Sequence, residues 1–504
     1  MKISCSSRLR NSTWAIVFAM GSMTLSAQTS RYFDQNSTAP DYGYDKDVLS
    51  HWSTSPADNF WNSRIDGAGT SADLSTWNNS AGDVAVFRMW QDVPAWGSRI
   101  NVSVDSDLSV GGIEALDAHG WGGINFSSSA ARSITLGEGA KVVVRFGDPG
   151  HGIIFGDNIN IVGDFHVAST TQGTVQIAGA GNAYQGTITI DGPSSWVGGL
   201  LLDGRDTVGV DANLNRTRIG ADAKIVLNSG GLQLIGTNVI GELSGSGGHI
   251  LPTGGAALTI RQNTDTEWAG DIGGSGSAFI NLYKEGSGRL SLTGTGRSYT
   301  DGVVMVREGS LYARGEIYTP SASPNAISVD DGAVLGGDFK TNKIVVLSAA
   351  GSIIDPGMFG EAGVMTLQSG LTAANGAVFR FNLNGIDSGD ELLNSRIDIT
   401  GGPVTLLGTK TVQFFDLGAN LIESGVAYTL LSIDPAATLN AGWDENWSYD
   451  LGSTGWVVDS FGFSGSDLQV TFMAVPEPSS LALCGSILVG SLLLVRRQNR
   501  RVGR

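Results

Sequence analysis

Two stretches of the sequence decide the fold: TVQIAGAGNAYQGTITI at residues 174–190 and RLSLTGTGRSYTDGVVMV at residues 289–306. Both begin with alternating apolar residues, pass through closely spaced glycines to a tyrosine, and end in a second apolar run. A looser copy, LTIRQNTDTEWAGDI, begins at Leu258 and has a tryptophan in place of the tyrosine. One such unit cannot bury its own apolar face, but stacked units cover one another. The repeats therefore predict a right-handed parallel β-helix or a related β-solenoid.

Strand patterns also fill the rest of the body. In VFRFNLNG at residues 378–385, Phe379, Phe381 and Leu383 share one face, and DLQVTFMA at residues 467–474 alternates in the same way. Such period-2 runs, broken by glycine, asparagine and aspartate, are typical of half-buried strands. No stretch between residues 28 and 474 has the long 3.6-residue apolar period of a helix. We therefore expect an all-β body.

The segment at residues 258–315 resembles the autotransporter-associated β-strand repeat. The matching residues are Lys284, Gly286, Gly288, Leu290, Leu292, Tyr299, Gly302, Gly309 and Leu311. Residues 332–383 look like the closing part of proteins with such repeats, with Asp355-Pro356-Gly357 as a turn. The resemblance implies a β-helix with a surface or secreted structural role.

Composition excludes several classes of protein. Glycine accounts for 72 of 504 residues, about twice the usual ~7%, which indicates many turns. The net charge of −17 argues against a nucleic-acid partner, because phosphate binding needs clustered lysine and arginine. The two cysteines, Cys5 and Cys484, lie in terminal segments that look removable. The mature body would then have neither a disulfide nor a thiolate metal site.

The N-terminal segment has the layout of a secretory signal peptide. Basic residues precede an apolar stretch at residues 14–25, and small residues follow it. This pattern predicts a signal helix in residues 1–27, with cleavage by signal peptidase near Ser26 or Ala27. An uncleaved anchor is the alternative.

The C-terminal segment combines three features in a fixed order. The motif Val475-Pro476-Glu477-Pro478 precedes an apolar run at residues 481–495, and an arginine cluster follows. The arginines are Arg496, Arg497, Arg500 and Arg501. As a helix, the 15 apolar residues span about 22 Å, short of the ~30 Å hydrocarbon core. The run therefore predicts a marginal hydrophobic helix with a stop-transfer charge on its cytoplasmic side.

This order resembles the PEP-CTERM sorting signal of Gram-negative bacteria. The resemblance covers about the last 30 residues of the chain. It implies processing by an exosortase, transient inner-membrane insertion through residues 481–495, and export in bacteria that make exopolysaccharide. The expected location is the cell envelope surface or the extracellular matrix. A permanent tail anchor after a proline linker is the alternative.

The search for chemistry is mostly negative. The sequence has no nucleophile elbow, no phosphate-binding loop and no zinc-type histidine spacing, so we predict no catalytic residue, metal or cofactor. Asp203 with Asp206, and Asp330 with Asp331, adjoin glycines, where aspartate usually bonds the local backbone. Paired carboxylates also cleave polysaccharides, which leaves an enzyme as an alternative. The spacing of His151 and His166 would let them meet on adjacent coils of a solenoid, but histidines in such positions are more often polar groups on the surface.

Tryptophan is concentrated near the N-terminus. Six of the twelve tryptophans lie in the first hundred residues after the predicted signal peptide: Trp52, Trp61, Trp77, Trp90, Trp96 and Trp121. The end of a solenoid exposes an apolar cross-section that needs a cap, and packed tryptophans suit that role. Stacking on sugar rings is the alternative.

The predicted organisation has five parts. Residues 1–27 form a signal peptide, 28–100 a Trp-rich cap region, 101–345 a β-solenoid with repeats clearest over 257–315, 346–474 a C-terminal β region, and 475–504 the sorting signal. We predict an exported, non-enzymatic structural or adhesive protein. The alternatives are a secreted polysaccharide-active enzyme and a carbohydrate-binding protein on a β-helix.

Overall fold

The computed structural model describes most of the body of the chain. The described residues are 28–34, 50–66, 70–88, 99–116, 123–145, 152–156, 158–169, 173–177, 184–193, 199–204, 219–273, 279–299, 301–320, 325–383, 385, 394–416, 422–452 and 456–474. Every regular element within these ranges is a β-strand, and none is a helix. The predicted all-β body is therefore confirmed, whereas the two predicted terminal helices lie outside the described residues.

The strands are short and numerous. The first fourteen are β1 Ser30–Phe33, β2 Ser50–Trp52, β3 Trp61–Asn62, β4 Leu74–Ser75, β5 Val84–Arg88, β6 Arg99–Val104, β7 Leu108–Leu116, β8 Gly123–Ser127, β9 Arg132–Val144, β10 Gly152–Phe155, β11 Ile159–Val162, β12 Phe165–Val167, β13 Thr174–Ile177 and β14 Thr187–Asp191. The next fourteen are β15 Gly199–Gly204, β16 Lys224–Ser229, β17 Gly231–Ile240, β18 Glu242–Ser244, β19 His249–Arg261, β20 Thr266–Trp268, β21 Asp271–Ile272, β22 Ile280–Glu285, β23 Arg289–Leu292, β24 Arg297–Tyr299, β25 Val304–Val306, β26 Ser310–Tyr318, β27 Ile327–Val329 and β28 Val334–Thr341. The remainder are β29 Val345–Leu347, β30 Ile353–Pro356, β31 Val364–Leu367, β32 Leu371–Ala373, β33 Ala377–Leu383, β34 Arg396–Ile399, β35 Pro403–Leu406, β36 Lys410–Asp416, β37 Ala427–Ile433, β38 Thr438–Leu439, β39 Trp447–Asp450, β40 Trp456–Ser464 and β41 Asp467–Ala474.

The strands form three long sheets of 11, 16 and 14 strands. The 16-stranded sheet runs from β2 to β38, the 11-stranded sheet gathers strands between β1 and β18, and the 14-stranded sheet gathers strands between β20 and β41. Consecutive strands along the chain, such as β12, β13, β14 and β15, alternate between two sheets. Each turn of the chain therefore stacks on the previous one, and this arrangement of long parallel sheets is consistent with a β-solenoid.

From β28 onward each turn of the chain contributes three strands. Val334–Gly336 in β28 pairs with β30, whereas Lys340 and Thr341 pair with β31. The 14-stranded sheet therefore divides into one branch through β30, β33, β36 and β39, and a second through β31, β34, β37 and β41. The division creates separate outer faces on the C-terminal half of the body.

Parallel pairing keeps apolar side chains in register from rung to rung. One inward column contains Leu290, Leu311, Leu335, Ile354 and Phe379, which are paired in order and 0% exposed. Burying each such side chain stabilises the fold by about 1.5–3 kcal/mol. The period-2 predictions for residues 378–385 and 467–474 are confirmed, because Phe379, Phe381, Leu383, Leu468, Val470 and Phe472 are all buried.

Antiparallel pairing occurs at the two ends of the stack. At the N-terminal end β3 pairs antiparallel with β1 and β4, and at the C-terminal end β41 pairs antiparallel with β37 and β40. An antiparallel strand cannot continue a coil of parallel rungs, so these pairings mark where the stack begins and stops. The predicted domain boundaries stay predictions.

Candidate functional site

The residues predicted for export and sorting lie outside the described residues. These are Ser26 and Ala27, the motif Val475 to Pro478, the apolar run 481–495, and Arg496, Arg497, Arg500 and Arg501. Within the described ranges, no helix is long and apolar enough to cross a membrane. The roles of these segments stay predictions.

The aspartates that the sequence singled out bond to turns. Asp330 accepts a hydrogen bond from the Ser348 hydroxyl at 3.2 Å, and Asp331 accepts one from the Gly351 N–H at 2.8 Å. Both partners lie on the next turn of the chain, so this pair fastens neighbouring corners. Asp203 lies in β15, but its side chain is not described, and Asp206 lies in a range that the structure does not describe.

The described histidines each lie beside one aspartate. His51 Nδ1 is 2.5 Å from Asp105, and His166 Nδ1 is 3.5 Å from Asp191. His151 is outside the described residues, so whether it meets His166 is untested. Among the described residues, no group of three or more histidine, cysteine, aspartate or glutamate side chains is arranged to hold a metal ion.

Three of the N-terminal tryptophans form one buried aromatic cluster. Trp52 is 0% exposed, Trp61 1% and Trp77 3%. Their ring centroids lie between 4.6 and 5.3 Å apart. Because these rings are buried, they have no free face for a sugar. Trp90, Trp96 and Trp121 lie outside the described residues.

The least expected group of polar side chains lies on the outer face of β26, β30 and β33. We call it the Asp355 cluster, and it consists of Tyr312, Asp355 and Arg380. The Tyr312 hydroxyl donates to Asp355 Oδ2 at 2.6 Å, and Arg380 Nη1 lies 3.8 Å from the same oxygen. Gly336 lies in register between Tyr312 and Asp355. A Cβ there would lie 2.2 Å from the tyrosine ring, so only glycine lets the ring cross this rung.

A short strap, residues 357–363, covers the Asp355 cluster. The Phe359 ring packs edge-on against Tyr312 at 5.9 Å, and the Arg289 guanidinium lies 4.2 Å from the Phe359 centroid. Arg314 and Glu361 form an ion pair at 2.9 Å that holds the strap to β26. The chain turns at Gly357, whose φ is 102°. The sequence placed this turn at Asp355-Pro356-Gly357, but Asp355 and Pro356 belong to β30.

Burial determines the electrostatics of the Asp355 cluster. Asp355 is 5% exposed, and this burial raises the pKa of its carboxyl group. Burial likewise raises the pKa of Tyr312, and the neighbouring charge of Asp355 raises that pKa further. Asp355 Oδ1 and Arg380 Nε are buried without a hydrogen-bond partner among the described residues.

The Asp355 cluster suits a structural role better than a catalytic one. The Asp355 side chain is only 7% exposed, so little of its carboxyl group is accessible to a substrate. The contacts of the cluster instead link β26, β30 and β33 across Gly336, which has no side chain. Sequence reasoning missed the cluster because Tyr312 and Asp355 are 43 residues apart and meet only through the strand register.

Three buried lysines hold backbone carbonyl groups at the corners of the stack. Lys284 Nζ donates to the carbonyl oxygens of Glu285, Gly286 and Glu308 at 2.6–3.1 Å. Lys343 donates to Gly302 at 2.8 Å, and Lys410 donates to Glu445 at 2.5 Å. Burial lowers the pKa of Lys284 and of Lys343 to about 8. Lys284 is the lysine of the repeat motif, whereas no sequence pattern identified Lys343 or Lys410.

An open polar groove of about 420 Å³ lies on the second branch of the 14-stranded sheet. Asp398, Ser432 and Asp467 are register partners across β34, β37 and β41. Two strand spacings separate the aspartates, or about 10 Å along the sheet. Arg396 donates two hydrogen bonds to Asp398 at 2.6 and 3.0 Å, and Ser432 donates to Asp467 at 2.9 Å.

Comparison with known proteins leaves the chain unassigned. No protein-family model matches the chain, and no curated protein is significantly similar to it. The resemblances to a sorting signal and to β-strand repeats therefore depend on the quoted motifs alone.

Proposed function

We propose that this protein is an exported structural or adhesive component of the cell envelope surface or extracellular matrix of a Gram-negative bacterium. The observation that carries the proposal is the parallel stack itself. Its 16-stranded sheet runs from β2 to β38, apolar side chains face inward, and serine, threonine, asparagine and charged residues face outward. Such a stack presents a long ordered surface without needing a disulfide. We also propose that the stack is a right-handed parallel β-helix with a Trp-rich N-terminal cap.

We further propose that both ends of the chain are processed. Signal peptidase removes the N-terminal helix near Ser26 or Ala27, and an exosortase recognises Val475-Pro476-Glu477-Pro478. Residues 481–495 insert transiently in the inner membrane as a hydrophobic helix, and the arginines from Arg496 onward stay cytoplasmic. In support, β41 extends to Ala474, so the described body reaches the residue before the motif. Exopolysaccharide is the proposed partner after release.

A tagged full-length chain tests the sorting step. The chain carries an epitope after Arg504 and is expressed in an exosortase-containing bacterium and in its exosortase-deficient derivative. We expect loss of the tag only in the first strain. In the exosortase-containing strain, replacing Pro476, Glu477 and Pro478 by alanine should preserve the tag. The control variant Pro403→Ala, at the exposed start of β35, should still lose it. Retention of the tag in both strains would contradict the proposal.

The polar groove supports a second candidate function, a polysaccharide-active enzyme. Inverting glycosidases hold two carboxyl groups about 6.5–9.5 Å apart, and the backbones of Asp398 and Asp467, two strands apart in register, are about 10 Å apart along the sheet. Asp398 already forms an ion pair with Arg396, which favours a structural role for this carboxylate over a catalytic one. We therefore place the enzyme second to the structural function. A reducing-end assay on acidic and neutral exopolysaccharides decides the matter. Activity lost in Asp467→Asn but kept in Asp338→Asn, an exposed control, would establish the enzyme.

A further inference from the structure

The end of the β40–β41 hairpin that lies next to the predicted sorting motif exposes apolar side chains. Strands β40 and β41 form an antiparallel hairpin whose open end pairs Trp456 with Ala474 and Val457 with Met473. The next residue is Val475, the first of the sorting motif. We call Trp456, Val457, Met473 and Ala474 the exit tip.

Polarity changes along this hairpin. At the exit tip, Val457 is 45% exposed and its cross-strand partner Met473 is 46% exposed. Further along the same two strands, Ser460 pairs with Thr471, and Asp467 pairs with Ser464. The apolar pair therefore lies at the end where the chain departs, and the hydroxyl and carboxylate groups lie away from it.

The distance from the exit tip to the proposed anchor is short. Residues 475–480 comprise six residues, which span at most about 20 Å when fully extended. Leu481 begins the apolar run that would enter the hydrocarbon region. While that run is inserted, the exit tip cannot be farther than this from the membrane surface.

We propose that the exit tip rests in the interfacial layer of the bilayer while the chain is anchored. This inference depends on the proposed anchoring through residues 481–495. Tryptophan favours the membrane interface, and an exposed apolar pair loses contact with water there. Asp459, farther along β40, remains in water and limits how deeply the hairpin enters. The partner is the lipid surface itself, and cleavage in residues 475–480 releases it.

Two reporters on the same hairpin test the proposal. In a full-length chain with Cys5→Ser and Cys484→Ser, a single cysteine replaces Met473 or, as the matched control, exposed Ser464. Each is labelled with an environment-sensitive fluorophore and reconstituted in phosphatidylcholine nanodiscs with brominated acyl chains. We expect at least threefold stronger quenching at position 473 than at position 464. The additional change Val457→Asp should reduce the quenching at 473 at least twofold.

The outcomes separate this inference from the proposed function. Equal quenching at both positions, in a chain that co-purifies with the nanodiscs, overturns the membrane contact and leaves the anchor intact. A chain that does not associate with the bilayer contradicts the anchor and the inference together. Concentration-dependent protection of position 473 without lipid, accompanied by dimer formation, would assign the exit tip to a second copy and overturn the proposal.

Discussion

The two ends of the stack differ in how completely they cover the core. At the N-terminal end, Trp52, Trp61 and Trp77 are at most 3% exposed beneath antiparallel strands. At the C-terminal end, Trp443, Trp447 and Trp456 are only partly buried, although β41 also reverses the strand direction. Both ends stop the parallel ladder, but among the described residues only the first end buries its tryptophans fully. The open end is the one from which the chain continues toward the proposed anchor.

The open end still protects its outermost strand. Strand β40 lies at the edge of the 14-stranded sheet, and a long free edge invites pairing with another chain. A bulge between Val458 and Ser460 interrupts this edge, and Asp459 places a charge there. Both features discourage strand addition. The C-terminal end therefore exposes apolar side chains but protects the free backbone edge of β40. A partner at this end would make contact through side chains and not by adding a strand.

The largest expected effect separates the two ends directly. Trp52→Ala should lower the free energy of unfolding of the N-terminal rungs by about 3–5 kcal/mol, because it leaves a cavity among Trp61, Trp77 and Phe87. Trp443→Ala should cost less than half as much, since its ring is partly exposed beside Phe463. Hydrogen exchange measured by mass spectrometry reports each end separately. Equal costs would show that the two ends are equally closed.

Glycine substitutions compare the interior of the stack with the C-terminal hairpin. Gly336→Ala should cost about 2–3 kcal/mol, because the new methyl group would overlap the Tyr312 ring and displace it from Asp355. Gly462→Ala in β40 should change stability little, because no atom lies within 4 Å of the new methyl group. Chemical denaturation of both variants checks this. A neutral Gly336→Ala would contradict the packing of the Asp355 cluster.

Buried lysines offer a third comparison along the stack. Lys284→Met should destabilise the protein by about 1–3 kcal/mol, because the Gly286 and Glu308 carbonyl groups lose their donor. Lys410→Met, near the open end, removes a single bond to Glu445 and should cost less. Exposed Lys340→Met is the control. Thermal melting of the three variants should rank them in that order, and a reversed order would refute it.

The same lysines predict that stability depends on pH in the alkaline range. The folded pKa of Lys284 and Lys343 is about 8, below the ordinary 10.5, so the unfolded chain binds more protons between these values. Stability should therefore rise as the pH increases from 8 to 10.5, by up to about 1.4 kcal/mol per pH unit for each lysine. Lys284→Met should have a shallower slope in denaturant titrations at pH 8–10. If the free energy of unfolding rose with pH equally in the variant and the unsubstituted chain, Lys284 would not contribute to the pH dependence.

Much of the body follows from local sequence patterns. The alternation within residues 378–385 and 467–474 identified strands and their inward faces, because a period of two reflects the pleat of a β-strand. The repeat unit indicated stacking, since its apolar face needs a neighbour. The antiparallel direction of β41 was not predictable, because an alternating strand has the same pattern in either direction.

The polar sites were harder to predict than the strands. Tyr312 reaches Asp355 across two rungs, so the contact depends on three strands being in exact register and on Gly336 between them. Lys343 lies in a bend and Lys410 is the first residue of β36, and nothing in the local sequence shows that their ammonium groups are buried. The sorting motif is the opposite case. Its prediction depends on the order of its residues alone, and these residues lie outside the described residues, so it stays a prediction.

The proposed export and sorting are tested most directly by the intact mass of the protein released by the producing bacterium, with sequencing of both termini. We expect a chain that begins near Gln28 and ends within residues 475–480, so that Cys5 and Cys484 are both absent. Additional mass at the new C-terminus would identify a group attached during processing. A released chain that retains residues 481–504 would contradict the sorting of this protein by an exosortase.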